Sequence, residues 1–253
     1  LEKENFPPIE KKQGYKIDVS HRKAFFAKND YVYFLKNVVM RVKNALYYWV
    51  KQDQARFGNF LSQAILNDWR HIRDKKKMLH GKYITPFEQV KNKKYFYYPL
   101  QTEPESSLQG RPPDFMCQLW AITLCAKAMP ADCILLVKEH IYPIGVRPRD
   151  FYSQIADFKN VHIIPMDVKG MDVIENAQGV FSVTGSSGYE AAIIGVPSVV
   201  LSKTGDYGFL DHVYHCPLAQ GLDDAVREIV YTDFDRAKTR GDGARFVEAI
   251  KHS

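Results

Sequence analysis

From Tyr95 onward the hydrophobic and polar positions fall into two alternating patterns. Short runs of apolar, β-branched and aromatic residues, "YFYYPL" from Tyr95, "CILLVK" from Cys133, "VHIIP" from Val161, "GVFSVTG" from Gly179 and "SVVLS" from Ser198, read as strands. The segments between them repeat at helical spacing. The clearest runs from Asp114 to Met129, where Phe115, Leu119, Ile122, Ala126 and Met129 recur at steps of four and three and so share one face, with Asp114 as its cap. Further helices are expected around Asp150 to Phe158, Met171 to Ala177, Ser187 to Ile194 and Asp223 to Val230, and Gly195-Val196-Pro197 stops one helix and starts the next strand. Strands and helices in alternation predict an α/β domain over residues 95–253: a Rossmann-like, mostly parallel sheet covered by helices on both faces.

The first 94 residues follow another pattern. The stretch from Asp30 to Lys77 is helical in period throughout, and nothing in residues 1–94 resembles the opening strand of a nucleotide fold. Residues 1–94 carry 21 Lys/Arg against 9 Asp/Glu, a balance of +12, whereas the remainder carries 14 against 20, so the net +6 conceals two regions of opposite sign. A basic, mainly helical N-terminal region of residues 1–94 is therefore expected. Phe25, Phe26, Tyr47, Tyr48 and Trp49 lie among its lysines, which suits two arrangements: helices, the remnant or linker of a missing N-terminal domain, that pack on that or a neighbouring domain with a solvated basic face, or an element resting on an anionic membrane surface.

Composition narrows the class. At 253 residues, 45% hydrophobic and 25% charged, the chain is globular rather than disordered. No apolar run approaches the roughly 18 residues that cross a bilayer, and "LEKENFPPIEKK" has no signal core. Cys117, Cys125, Cys133 and Cys216 match neither a zinc spacing nor a secreted disulfide framework, so a reducing cytoplasm is the expected setting. Beginning at Leu1, the sequence is expected to be a piece of a longer protein.

Three strand ends carry candidate chemistry. In "FSVTGSSGYEAAIIGVP" a strand runs into Gly185-Ser186-Ser187-Gly188 and then a helix. That turn aims free backbone N–H groups and the positive end of a helix dipole at whatever lies above the strand, and phosphate fits it best. Glu190, one turn on, could reach a ribose hydroxyl; the same residues also suit a capped helix with Ser186 as N-cap and Glu190 in the capping interaction. "CILLVKEH" delivers Lys138, Glu139 and His140 to the same carboxyl edge, where His140 would answer a phosphate oxygen without a metal and Lys138 would either add charge or pair with Glu139. "YYPLQTEPESS" ends in Glu103 and Glu105 around Pro104, two carboxylates suited to orient a sugar hydroxyl, act as a base or attack an anomeric carbon, or else to be plain loop acids.

The order of these segments, Glu103-Pro104-Glu105, then Lys138-Glu139-His140, then Thr184-Gly185-Ser186-Ser187-Gly188-Tyr189-Glu190-Ala191, resembles the C-terminal half of the bacterial capsule polysaccharide biosynthesis and export family, which includes the 3-deoxy-manno-octulosonic acid (Kdo) transferases. Two positions depart from the family pattern: Glu103 stands where Gln is usual and Ile141 where Pro is usual. The resemblance implies a GT-B architecture of which this chain holds the nucleotide-sugar half, and a metal-independent glycosyltransferase of capsule or surface polysaccharide that uses a CMP-linked Kdo-type donor. It implies that Lys138, His140, Ser186, Ser187 and Gly188 surround the donor phosphate, that Glu190 holds the ribose or the helix start, and that Glu103 and Glu105 face the reacting sugar. The implied partners are a nucleotide sugar and a glycan or glycolipid acceptor, with no separate cofactor and no nucleic acid, in a cytoplasmic protein peripheral to the inner membrane. A CDP-polyol phosphotransferase of the teichoic-acid type pairs a histidine motif with a serine-rich helix start in the same way, and a nucleotide-binding scaffold without transfer activity is the third reading.

Overall fold

The computed structural model describes residues 29–51, 60–101, 115, 117–140, 147–148, 150–183, 185–202, 207–232 and 234–252. The chain divides into two compact units, Leu1–Lys75 and Lys76–Ser253.

In the first unit helix α1 (Asp30–Val50) starts at Asn29, whose side-chain oxygen accepts from the Tyr31 backbone N–H at 3.2 Å. Helix α2 (Phe60–His80) runs back along it. Lys75 meets Asp30 at 2.6 Å near one end of the pair, Arg41 clasps Asp68 through two bonds of 3.1 and 3.2 Å, and Phe34 sets its ring edge-on to Trp69 between them. Lys75 is buried, and an ammonium out of water persists only with such a partner.

The unit boundary at Lys75 lies well before the position 94 expected from the charge balance. The cause is packing: Met78 and Val90 are buried, the Thr85 N–H donates to the Ile163 carbonyl at 2.8 Å, and Ile84 bridges Ile163 in parallel, so residues 76–94 belong to the sheet despite their lysines. A one-turn helix, α3 (Phe87–Val90), leads into the first strand.

Six strands form one parallel sheet: β1 (Lys94–Pro99), β2 (Cys133–Lys138), β3 (Val161–Ile164), β4 (Gly179–Ser182), β5 (Ser198–Val200) and β6 (Val213–His215), in the order β3-β2-β1-β4-β5-β6. Strand β1 pairs with both β2 and β4, and its four consecutive aromatics are all buried. Phe96 and Tyr98 face a core shared with α4 (Gln118–Ala128), α5 (Phe151–Ala156) and α8 (Leu222–Tyr231); Tyr95 and Tyr97 face the core under α6 (Gly170–Ile174) and α7 (Ser186–Ile193). Large apolar side chains at four consecutive positions of a central strand suit a sheet covered on both faces. The α/β, Rossmann-like class read from the alternation is the architecture observed.

Two elements have no counterpart in the sequence pattern. One is β6. The other is α9 (Arg236–His252), which starts at Asp235, whose carboxylate accepts from the Ala237 and Lys238 N–H groups at 2.9 and 3.1 Å. Thr239 of α9 donates to the Gly195 carbonyl at 2.9 Å, and Gly243 lies so close to the Ile193 carbonyl that a methyl group there would collide with it. Gly195 itself has φ +76, the left-handed backbone that ends α7. Asp114 lies outside the described residues; α4 begins after Cys117, which contributes no side-chain cap.

Candidate functional site

A parallel sheet presents its ligand-facing edge at the carboxyl ends of the strands, and an opening forms where neighbouring strands send their chains to opposite faces. Here that point lies between β1 and β4: α4, after β1, packs on one face of the sheet, and α7, after β4, on the other. The register pairs Pro99 with Lys138 and Tyr97 with Val180, which brings the ends of β2, β1 and β4 level at this edge.

Gln101 sits at the centre. Its backbone N–H donates to Gln118 Oε1 at 2.5 Å, and its carbonyl accepts from Gln118 Nε2 at 2.8 Å and from Arg147 Nη2 at 2.5 Å. A methyl group added at Gly185 would stand 3.1 Å from Gln101 Nε2, so the side-chain amide of Gln101 lies directly against the start of α7.

Glu139 is the buried anion behind this edge. Arg147 holds it through Nε to Oε2 and Nη2 to Oε1, both 3.0 Å; Tyr152 donates its hydroxyl to Oε2 at 2.6 Å; and the His140 backbone N–H donates to Oε1 at 2.8 Å. The carboxylate of Glu139 thus turns inward to Arg147 and Tyr152, with side-chain exposures of 1% for Glu139 and 3% for Arg147. Arg147 also lies 4.9 Å from the Phe151 ring centre. One arginine therefore links the Gln101 carbonyl, at the end of β1, to Glu139, at the end of β2. His140 is fixed at its backbone, two residues past the last residue of β2.

At the end of β4 the chain turns into α7 through Gly185, whose extended backbone (φ −81, ψ 164) brings no capping side chain. Ser182 donates to the Gly185 carbonyl at 2.9 Å, which tightens that turn. Ser186 is exposed in the first turn and donates to Glu190 Oε1 at 2.9 Å, the local partnership that the sequence allowed as an alternative to ribose contact. Ser187 stands beside it, partly buried. Gly188 is buried and faces the sheet: a methyl there would lie 2.6 Å from Ser182 Cβ, 2.7 Å from the Tyr207 hydroxyl and 2.9 Å from Ser198 Oγ. Its missing side chain is what lets α7 start hard against β4 and β5. Glu103 and Glu105 lie outside the described residues.

Of the candidates, the structure gathers Lys138, His140 and the Ser186–Ser187 helix start along one edge. Sequence reasoning missed Gln101, Gln118, Arg147 and Tyr152. Gln118 had a signal, an amide among apolar residues on the inward side of a helix; Arg147 had none. The sequence holds one Asp-x-Asp triplet, at 233–235, and its carboxylate at Asp235 is spent on capping α9. A separate pocket of about 370 Å³, lined by Phe209, Leu210, Lys238 and Phe246 among others, lies beside α9 rather than at the switch point.

A model of the family described as capsule polysaccharide biosynthesis proteins matches residues 6–205. Among curated proteins, none matches this sequence. Solved structures similar to it include the UDP-GlcNAc 2-epimerase of Methanocaldococcus jannaschii (14% identity, 63% of this chain, 46% of that one, TM-score 0.43). Similar too are KpsC, a β-Kdo 2,7-transferase from Thermosulfurimonas dismutans (17%, 77% and 56%, 0.39), and the wall teichoic acid polymerase TagF (14%, 74% and 49%, 0.33). The chain spans about half the length of these proteins.

Proposed function

This chain belongs to the family of capsule polysaccharide biosynthesis proteins, and from that premise we propose that it forms the donor-binding half of a GT-B glycosyltransferase for surface polysaccharide, with a CMP-linked Kdo-type sugar as donor. The observation that carries the reading is the convergence at the switch point: the end of β2 with His140, the end of β1 with Gln101, and the uncapped start of α7 share one edge. The leading N–H groups of α7 and the hydroxyls of Ser186 and Ser187 take the donor phosphate, where the helix dipole favours negative charge. Lys138 and His140 answer it from β2, so the charge of a nucleotide leaving group is met by protein donors. Glu190 holds either Ser186 or a ribose hydroxyl, and Glu103 and Glu105 act on the reacting sugar. On this reading the acceptor is a glycan or glycolipid and the protein works peripherally at the cytoplasmic face of a membrane; among the described residues no helix is long and apolar enough to cross one.

Calorimetry with CMP, CDP, UDP and GDP tests the reading. CMP should bind best, and His140→Ala and the pair Ser186→Ala/Ser187→Ala should each weaken it by about 1.5–3 kcal/mol, the scale of a hydrogen bond to a charged group, with the fold intact. Preference for CDP moves the reading to a polyol phosphotransferase. Unchanged affinity in both variants removes the phosphate from this edge.

A further inference from the structure

Helix α1 carries an apolar stripe that stands exposed among the described residues. Leu35, Val39, Val42, Leu46 and Trp49 recur at steps of four and three, the spacing of one helix face, and each is between 41% and 68% exposed; Val50 ends the stripe at 73%. A different face of α1 meets α2, through Phe34, Arg41 and the buried Ala45. Trp69 of α2, in contact with Phe34, is itself 48% exposed, so the apolar surface continues onto the second helix.

The charges around this stripe have one sign. From Tyr31 to Val50 there is no acidic residue. Arg41 is spent on Asp68, while Lys36 and Lys43 are exposed. At 100° per residue Lys36 falls roughly 100° and Lys43 roughly 80° from the centre of the stripe, on the same flank. Apolar side chains in the middle, lysines with long apolar stems at the margin and a tryptophan at one end form the profile of a helix that lies in the plane of a bilayer interface. The lysines exclude the alternative of a spanning helix, and they disfavour an antiparallel second copy, which would set one lysine row against the other with no acid of α1 to answer it.

We propose that the exposed stripe of α1 docks this protein in the interface of an anionic membrane, with Leu35, Val39, Val42, Leu46 and Trp49 in the acyl boundary and Lys36 and Lys43 at the phosphate level. The proposal is independent of the nucleotide site. Sedimentation with phosphatidylglycerol-containing vesicles, against pure phosphatidylcholine, tests it on the full chain. Capture by the anionic vesicles should weaken with added salt. Lys36→Ala/Lys43→Ala should lower the partition coefficient roughly thirtyfold, about fivefold for each lysine removed from an anionic surface. Leu46→Ser/Trp49→Ser should lower it at least as far, and the blue shift of tryptophan emission on binding should be smaller in Trp49→Phe than in the wild type. CMP affinity, measured on the same variants, should be unchanged, which separates this docking from the donor site. Absence of capture, capture that neither pair of substitutions weakens, or a concentration-dependent dimer that Leu46→Ser dissociates would overturn it.

Discussion

Arg147→Met strikes the densest polar contact of the structure. The arginine makes two bonds of 3.0 Å to Glu139 and one of 2.5 Å to the Gln101 carbonyl, with both side chains almost wholly out of water. Methionine roughly fills the stem but removes both guanidinium bonds from the Glu139 carboxylate, whose described partners are then the Tyr152 hydroxyl and the His140 N–H. Removing one partner of a buried pair costs about 3–5 kcal/mol, because the remaining charge keeps its desolvation penalty and loses its answer. For a unit of this size each kcal/mol moves the melting temperature by about 2–4 °C, so the variant should melt roughly 10 °C lower. Urea unfolding followed by near-ultraviolet circular dichroism reads the loss directly. The double variant Glu139→Leu/Arg147→Met removes both charges and should recover most of it, since an apolar pair of similar volume carries no desolvation cost. A loss below about 1 kcal/mol in the single variant, or a double variant as unstable as the two singles summed, refutes the reasoning.

Gly188→Ala should destabilise by about 1–3 kcal/mol, because Ser182 and Ser198 are buried at the inner surface of α7 and have no room to retreat from the new methyl; thermal unfolding at wild-type midpoint would show that α7 shifts freely. His162 sets a pH dependence: burial, and then the neighbouring charge of Lys93, hold its pKa below the usual histidine value, and Thr85 Oγ1 lies 3.3 Å from its Nδ1. The folded state thus disfavours its protonation, so its contribution is complete above about pH 6.5 and is lost as the pH falls through the lowered folded value. Denaturant midpoints measured from about pH 7.5 to 5 should fall less steeply in His162→Gln than in wild type, and parallel curves would exclude His162 as the source.

The strands that could be read in the sequence are those that carry their own signal. Cys133–Lys138 is apolar along its length and bounded by turn residues, and its limits coincide with β2. Strand β6 is three residues whose order comes from pairing with Ser198, Val199 and Val200, a partnership no local window contains. Helix α9 was hidden by Gly241 and Gly243, which lower helix propensity; tertiary contact overrides it, since Gly243 is the residue that permits approach to Ile193. Charge marks surface and gives no sign that residues 76–94 pack on the sheet, whereas Met78 and Val90 are held there by burial. At the site, the helix start after β4 was legible because glycine and serine in that position leave few other geometries. The Gln118–Gln101–Arg147–Glu139 cluster was not, since its members are spread over 46 residues, from Gln101 to Arg147, and meet only once the sheet order sets β1 beside β2.

Stability alone does not account for that cluster. A buried ion pair is often no better than the apolar residues that could replace it, so its presence here points to what it holds in place. Arg147 belongs to the chain that has already left β2, and it returns to bond the carbonyl of Gln101 at the end of β1 while gripping Glu139 at the end of β2. The His140 N–H, bonded to the same carboxylate, is thereby fixed relative to Gln101, whose side chain touches the turn into α7. An apolar cluster would bury the same volume without directionality, and the ends of β1 and β2 could then slip against each other. Hydrogen bonds of fixed angle lock these two strand ends into one geometry, with the turn into α7 against the Gln101 amide, and that preorganisation is what the proposed donor site requires of groups carried on separate strands.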